Sequence, residues 1–312
     1  MARFPAPIVP IKRCTYSIIL APAPPQVCCP YFQTGQIVGY VSGSCREKAE
    51  ICPPQSFCMR KLLLLPFLYT LFVAGACDTE PIAPIDTSAD QAFFPLELNQ
   101  PLFYELDSIV VFNTTGGIVY DTTRAEVRET LVEVFTENDG TETYRGERWQ
   151  RADENSPWRF VQTYTVRRTA TAAFREEDNL RFTKMIYPIS ENQSWDGNAA
   201  FDVQREVVVG GEFLDVFNGW AYRYETVNTP LMLTTGRSFA TTVRINQAEV
   251  DNLIDTRTAY EVYAPGVGLV ERYLDARHTQ CRVCCNNDTG ACIDLPWDEK
   301  AEKGFILHQV LK

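Results

Sequence analysis

Histidine is almost absent from the 312 residues: there are two, His278 and His308, both near the C-terminus. A Ser-His-Asp or Cys-His catalyst would have to use one of them, and no Gly-x-Ser-x-Gly elbow occurs. His-Glu-x-x-His and Walker-type phosphate loops are missing too, which removes the usual signatures of zinc hydrolysis and nucleotide binding. Basic residues are in deficit, with 29 Lys and Arg against 40 Asp and Glu. Phosphate backbones and anionic headgroups are gripped by clustered Lys and Arg, so the composition argues against nucleic acid and against a peripheral hold on anionic lipid. No catalytic residue, metal ligand or cofactor is assigned.

What is present begins with residues 59–77. Met59, Arg60 and Lys61 form a short positive front, followed by thirteen mostly apolar residues, 62–74, then Gly75, Ala76 and Cys77. A spanning helix needs about 20 apolar residues, so this run is too short to cross a bilayer. A secretory signal has an apolar core of about 7–15 residues with a charged front and small residues behind, which is the order found here. The tail Val73-Ala74-Gly75-Ala76-Cys77 resembles the lipobox of bacterial lipoproteins, with Ala74 where that family most often has leucine. The resemblance covers these nineteen residues. It implies cleavage before Cys77, a diacylglycerol on its sulfur and an acylated amine. An ordinary secretory signal or a short membrane anchor are the alternatives. Each buried methylene contributes about 0.8 kcal/mol and one acyl chain holds only marginally, so two or three chains on Cys77 would suffice as an anchor.

Residues 1–58 fit neither a folded domain nor the front of a signal. They hold six cysteines (Cys14, Cys28, Cys29, Cys45, Cys52, Cys58), many prolines and only two acidic residues, with no sustained period. The expectation is that translation starts at Met59; a Cys-rich metal-binding tail is the alternative, disfavoured by the lack of a Cys-x-x-Cys pair. Residues 1–76 carry seven of the 29 basic and two of the 40 acidic residues, leaving 22 against 38 in the 236 residues from Cys77 onward, a net of −16. Such a charge serves solubility. Residues 77–101, with scattered prolines among Asp, Thr and Ser, are expected to be a flexible tether.

Residues 102–312 are expected to form a single β domain. Aromatic and β-branched residues are dense there, and turn signals recur at short intervals. Hairpins are predicted at Gly116-Gly117, at Asn138-Asp139-Gly140, at Gly210-Gly211 and at Pro265-Gly266, with a further turn at residues 176–179. Residues 160–167 alternate with a period of two, and Tyr222 with Tyr224, and Val243 with Ile245, repeat the pattern. Residues 247–255 are the one candidate for a short helix. The fold class is all-β, mainly antiparallel: a sandwich or partly open half-barrel with at most one or two short helices. The segment 263–271, Tyr-Ala-Pro-Gly-Val-Gly-Leu-Val-Glu, resembles the late hairpin of periplasmic lipoprotein-carrier-type half-barrels, which implies a sheet curled around an apolar groove.

Cys281, Cys284, Cys285 and Cys292 form one dense cluster in a loop, residues 280–297, with few apolar residues of its own. Cys-x-x-Cys plus two further cysteines could hold zinc, and His278 lies three residues upstream. An oxidising compartment favours disulfides instead. Setting aside a bridge between the neighbours 284 and 285 leaves two pairings, 281–284 with 285–292, or 281–285 with 284–292. Asp196, Gly197, Asn198 and Asp202 have the oxygens of a calcium loop without its twelve-residue spacing, and read better as a turn. Trp149, Trp158, Trp195 and Trp220 are candidates for a groove lining or for the core. The role expected is a lipid-anchored protein of the bacterial cell envelope, facing periplasm or cell surface, that binds an apolar ligand or an envelope protein partner. The alternative is an envelope glycan hydrolase using a carboxylate pair. Mass spectrometry of the protein taken from its own membranes should find a diacylated Cys77 at the N-terminus, and Cys77→Ser should move the protein to the aqueous phase of a detergent partition. A free Cys77 thiol, or peptides from residues 1–58, would contradict this.

Overall fold

The computed structural model describes residues 85–312. The candidate signal, Cys77 and the six N-terminal cysteines lie outside them. Twelve antiparallel strands form one sheet in the order β6-β5-β4-β3-β2-β1-β14-β13-β12-β11-β10-β7, and a separate hairpin pairs β8 with β9. In chain order the strands are β1 (Leu102–Thr114), β2 (Gly117–Thr136), β3 (Glu142–Arg151), β4 (Arg159–Arg168), β5 (Ala172–Glu177), β6 (Leu180–Ile186) and β7 (Ser194–Trp195). The second half comprises β8 (Glu206–Val209), β9 (Glu212–Asp215), β10 (Trp220–Met232), β11 (Ser238–Asp251), β12 (Asp255–Ala264), β13 (Gly268–His278) and β14 (Lys303–Leu311). Almost every neighbouring pair is joined by a short connection, and β14 returns to lie between β1 and β13, so the two halves of the chain share one sheet.

The sheet curls until it nearly closes. Tyr164 and Val166 of β4 share a core cluster with Tyr222 and Tyr224 of β10, Val243 and Ile245 of β11 and Tyr263 of β12, strands that are far apart in sheet order. Such contacts require the inner face to wrap around on itself. The two edges meet at one place: Thr183 N donates to Gly197 O at 2.8 Å, and Trp195 Nε1 donates to Thr183 O at 2.8 Å. The architecture is therefore the curled, all-β alternative of the two expected from the sequence.

The turns follow the predicted chemistry. Gly117, Gly140, Gly210 and Gly266 have positive φ, and Asp178 and Asn179 occupy the left-handed region between β5 and β6 at φ 53° and 60°. The φ of +83° at Gly140 is the conformation that favours glycine in a tight hairpin. Two expectations need correction. Residues 247–251 continue β11 instead of forming a helix, because a register shift beside Asn246 lets both Gln247 and Ala248 bury. The three helices of the described residues are α1 (Ser88–Gln91), α2 (Thr289–Ile293) and α3 (Trp297–Lys300), each about one turn. The later part of the segment expected as a flexible tether, residues 77–101, is docked instead. Phe93 and Phe94 are buried in the core, Arg168 Nη1 donates to the carbonyls of Gln91 and Phe94, and Asn99 N donates to Leu131 O. An aromatic pair supplies enough apolar area to dock this segment against the sheet. No helix of the described residues is long and apolar enough to cross a membrane.

Close packing of the interior depends on Gly146 of β3. A Cβ there would meet the Tyr164 ring at 2.2 Å, and that ring is buried beneath the Arg175 guanidinium, 3.8 Å from its centroid. Gly146→Ala should lose about 1–3 kcal/mol, as overpacked cores do, whereas Gly116→Ala, whose Cβ meets nothing closer than 3.7 Å, should change stability by less than about 0.5 kcal/mol. Urea unfolding of the two variants checks the difference.

Candidate functional site

The inside of the curled sheet carries a belt of charge. Strand alternation places Glu129 of β2 opposite Arg148 of β3, and Glu261 of β12 opposite Arg272 of β13. Arg175 of β5 reaches across to Glu129, its Nη1 donating to Oε2 at 2.9 Å and its Nη2 to Oε1 at 3.1 Å, while Nε donates to Glu177 at 2.8 Å. Arg148 Nη1 donates to Glu129 Oε1 at 2.7 Å and its Nη2 to Gln309 of β14 at 2.9 Å. On the other side, Lys184 of β6 and Arg272 both donate to Glu261 Oε1, at 2.9 and 2.8 Å, and Gln247 and Tyr263 donate to its Oε2 at 2.8 and 2.7 Å. Glu129 is 5% exposed and Glu261 1%.

These charges persist inside because they satisfy one another. Burial alone would raise the pKa of Glu129, but Arg175 and Arg148 outweigh it and bring it down to about 2. Burial also opposes ionisation of Glu261, and Lys184 with Arg272 overcomes it, again to about 2. Glu177 is held well below the carboxylate range by Arg175, Arg272 and Lys184 against its own burial. Burial lowers the pKa of Lys184, with Glu261 opposing. Four cations, Arg148, Arg175, Lys184 and Arg272, share three carboxylates, so Arg272 and Lys184 divide Glu261 between them.

A cavity of about 280 Å³ opens onto this belt. Its buried floor is formed by Tyr104, Tyr164, Tyr263, Glu129 and Arg175, with Arg272 beside them. Its walls are apolar: Phe94 from the docked N-terminal segment, Leu102, Leu131, Val166, and Val267 and Leu269 from the β12–β13 hairpin. Exposed Glu97, Gln100 and Arg237 stand at the rim. The hairpin singled out by its resemblance to lipoprotein carriers thus contributes wall residues. The buried acid-base belt was not anticipated. Its signal lay in the sequence as charged residues on the apolar phase of alternating strands: Ala125, Val127, Glu129, Leu131 in β2, and Ala259, Glu261, Tyr263 in β12.

The other candidates lie elsewhere. Cys281 and Cys292 form a disulfide with Cα atoms 5.8 Å apart, and Cys284 and Cys285 are free thiols with Sγ atoms 3.0 Å apart. This corrects both expected pairings, since the bridge belongs to the arrangement set aside. The reason is the loop's path: Asp288 caps α2 through Ala291 N, and α2 carries Cys292 to a fully buried position beside buried Cys281. The Glu302 carboxylate accepts from the amides of Gln280 and Val283 and fixes the opposite side of the loop. Burial, then its neighbour Cys285, raises the Cys284 pKa to about 11. The Sγ atoms of Cys284, Cys285 and Cys292 lie within 4.8 Å of one another, the spacing of a metal cluster, but Cys292 is already bridged. His278 pairs with Asp255 at 2.8 Å, and His308 with Glu271 at 2.9 Å. Asp196 caps Asn198 N in a turn. Trp195 and Trp220 pack on the core, while Trp149 and Trp158 flank Arg128; none of the four lines the cavity.

No family model matches the chain, and no curated protein does. Two solved structures align with it. One is a presumed exported protein with a YmcC-like fold from Bacteroides fragilis, 11% identical over 70% of this chain and 96% of that one, at a TM-score of 0.29. The other is a presumed lipoprotein from Parabacteroides distasonis, 13% identical over the same shares, at a TM-score of 0.27. At such scores neither likeness carries weight for fold or role, and the fold stands on the strand pairing above.

Removing one member of a buried pair strands its partners, which costs about 3–5 kcal/mol. Glu129→Gln should therefore destabilise the protein by about that much at pH 7, while Glu105→Gln at an exposed position of β1 should leave stability within about 0.5 kcal/mol. Because Glu129 and Glu261 drop from about 4.5 unfolded to about 2 folded, their contribution is complete above about pH 4.5 and lost as pH falls toward 2. Urea unfolding of wild type and Glu129→Gln between pH 7 and pH 3 should show the gap narrowing.

Proposed function

We propose that the protein is a lipid-anchored envelope protein whose β body binds a small ligand in the cavity between the docked N-terminal segment and the β12–β13 hairpin. The observation that carries this reading is the cavity itself: apolar walls leading to a polar, buried floor, the combination by which proteins hold and orient small molecules. At about 280 Å³ it is just under the usual range of about 300–1,000 Å³, which suits a compact ligand and not a long lipid chain. Anchoring through Cys77 and an address in the bacterial envelope come from the lipobox resemblance and the length of the apolar run.

Glycan hydrolysis gains no support from this site. A glycosidase needs one carboxyl group that keeps its proton near neutrality. Glu129 at the cavity floor, and Glu177 and Glu261 behind it, are all pushed the other way by their guanidinium and ammonium partners.

A neutral fluorescent probe of about anthracene size should bind with enhanced emission. Leu131→Trp, which adds bulk to a half-buried wall residue, should weaken the probe at least tenfold while thermal unfolding stays cooperative. Equal binding to wild type and Leu131→Trp would remove the cavity reading.

A further inference from the structure

Beyond a site for some small molecule, the floor of the cavity has a definite chemical preference. Arg272 lines it and spends one donor on protein: Nε binds Glu261 at 2.8 Å, Nη1 stands 3.9 Å from Glu177, beyond hydrogen-bond reach, and Nη2 has no protein partner among the described residues. Tyr164, 5% exposed and also lining the cavity, has a hydroxyl with no hydrogen-bond partner among the described residues. Tyr104 and Tyr263, its neighbours on the floor, already donate their hydroxyls, to Leu269 O at 3.0 Å and to Glu261 at 2.7 Å. Both groups stay open to the cavity space, so their unspent donors are available to an acceptor that enters it.

Resting on the cavity reading above, we propose that the ligand is a small monocarboxylate with an apolar body, its carboxylate taken by the free amino groups of Arg272 and the hydroxyl of Tyr164 and its body lying against Leu131, Val166 and Leu269. Three features agree. The guanidinium fork matches the two oxygens of a carboxylate in one plane. Four interior cations share three carboxylates, so one negative charge completes the balance, whereas a phosphate monoester would bring −1.5 to −2. A dry 150 Å³ cavity elsewhere holds benzene, and about twice that volume leaves room for a head and a short chain.

The test is competition against the neutral probe by four eight-carbon compounds: octanoate, octanol, octylammonium and octyl phosphate. Octanoate should displace the probe at least tenfold more effectively than the other three. Tyr164→Phe, which deletes only an unpaired hydroxyl, should keep the unfolding midpoint and weaken octanoate about tenfold more than it weakens octanol. Arg272→Gln should abolish the preference, and Tyr164→Phe keeps the test valid should loss of Arg272 unfold the protein. Octanol or octyl phosphate binding as well as octanoate, or an unaltered preference in Tyr164→Phe, would overturn the carboxylate assignment and leave the cavity reading standing. Failure of all four to displace a bound probe would overturn the carboxylate assignment as well, and failure of the probe itself to bind would overturn the cavity reading.

Discussion

The interior of this sheet is held by charge where a small barrel would ordinarily be filled with aliphatic side chains. Glu129, Glu177 and Glu261 tie β2, β5 and β12 to cations on β3, β5, β6 and β13, so the belt joins strands far apart in the sheet order. Attraction at these distances in a low-dielectric interior is strong, and the cost of drying the groups is strong too, so the belt is stable only as a complete set. Tyr222, Tyr224, Val243 and Ile245 belong to the main buried core cluster of the same interior.

That completeness bears on the cavity. Aliphatic packing would close the space, but guanidinium and phenol groups fix their neighbours through directed hydrogen bonds and leave a defined hollow between Phe94 and the β12–β13 hairpin. The docked N-terminal segment turns the open end of the curled sheet into a walled site.

Much of the fold was legible because its signals are local. Asp139-Gly140, Pro265-Gly266 and the alternation through Tyr164 and Val166 depend on residues within a few positions of one another, and each stands where expected. The belt was illegible as a unit because its pairs are distant: Lys184 and Glu261 are 77 residues apart, Arg148 and Gln309 161. Charged residues on an apolar strand phase were the available hint, and without the partner strand each reads as an exposed edge. The cysteine pairing failed for a different reason. Neighbouring residues 284 and 285 were ruled out as a bridge, whereas the loop leaves both unbridged and joins Cys281 to Cys292 through the return made by α2. Docking of the segment around Phe93, Phe94 and Leu96 was hidden by the prolines scattered through it.

On this reading the hollow above Arg272 takes an anion with an apolar body. A crystal structure of the protein grown with excess octanoate decides it most directly. The account predicts electron density for the chain between Leu131 and Leu269, with both carboxylate oxygens within hydrogen-bond distance of Arg272 or Tyr164. A cavity holding only water under those conditions, or a chain bound elsewhere on the β body, would contradict it.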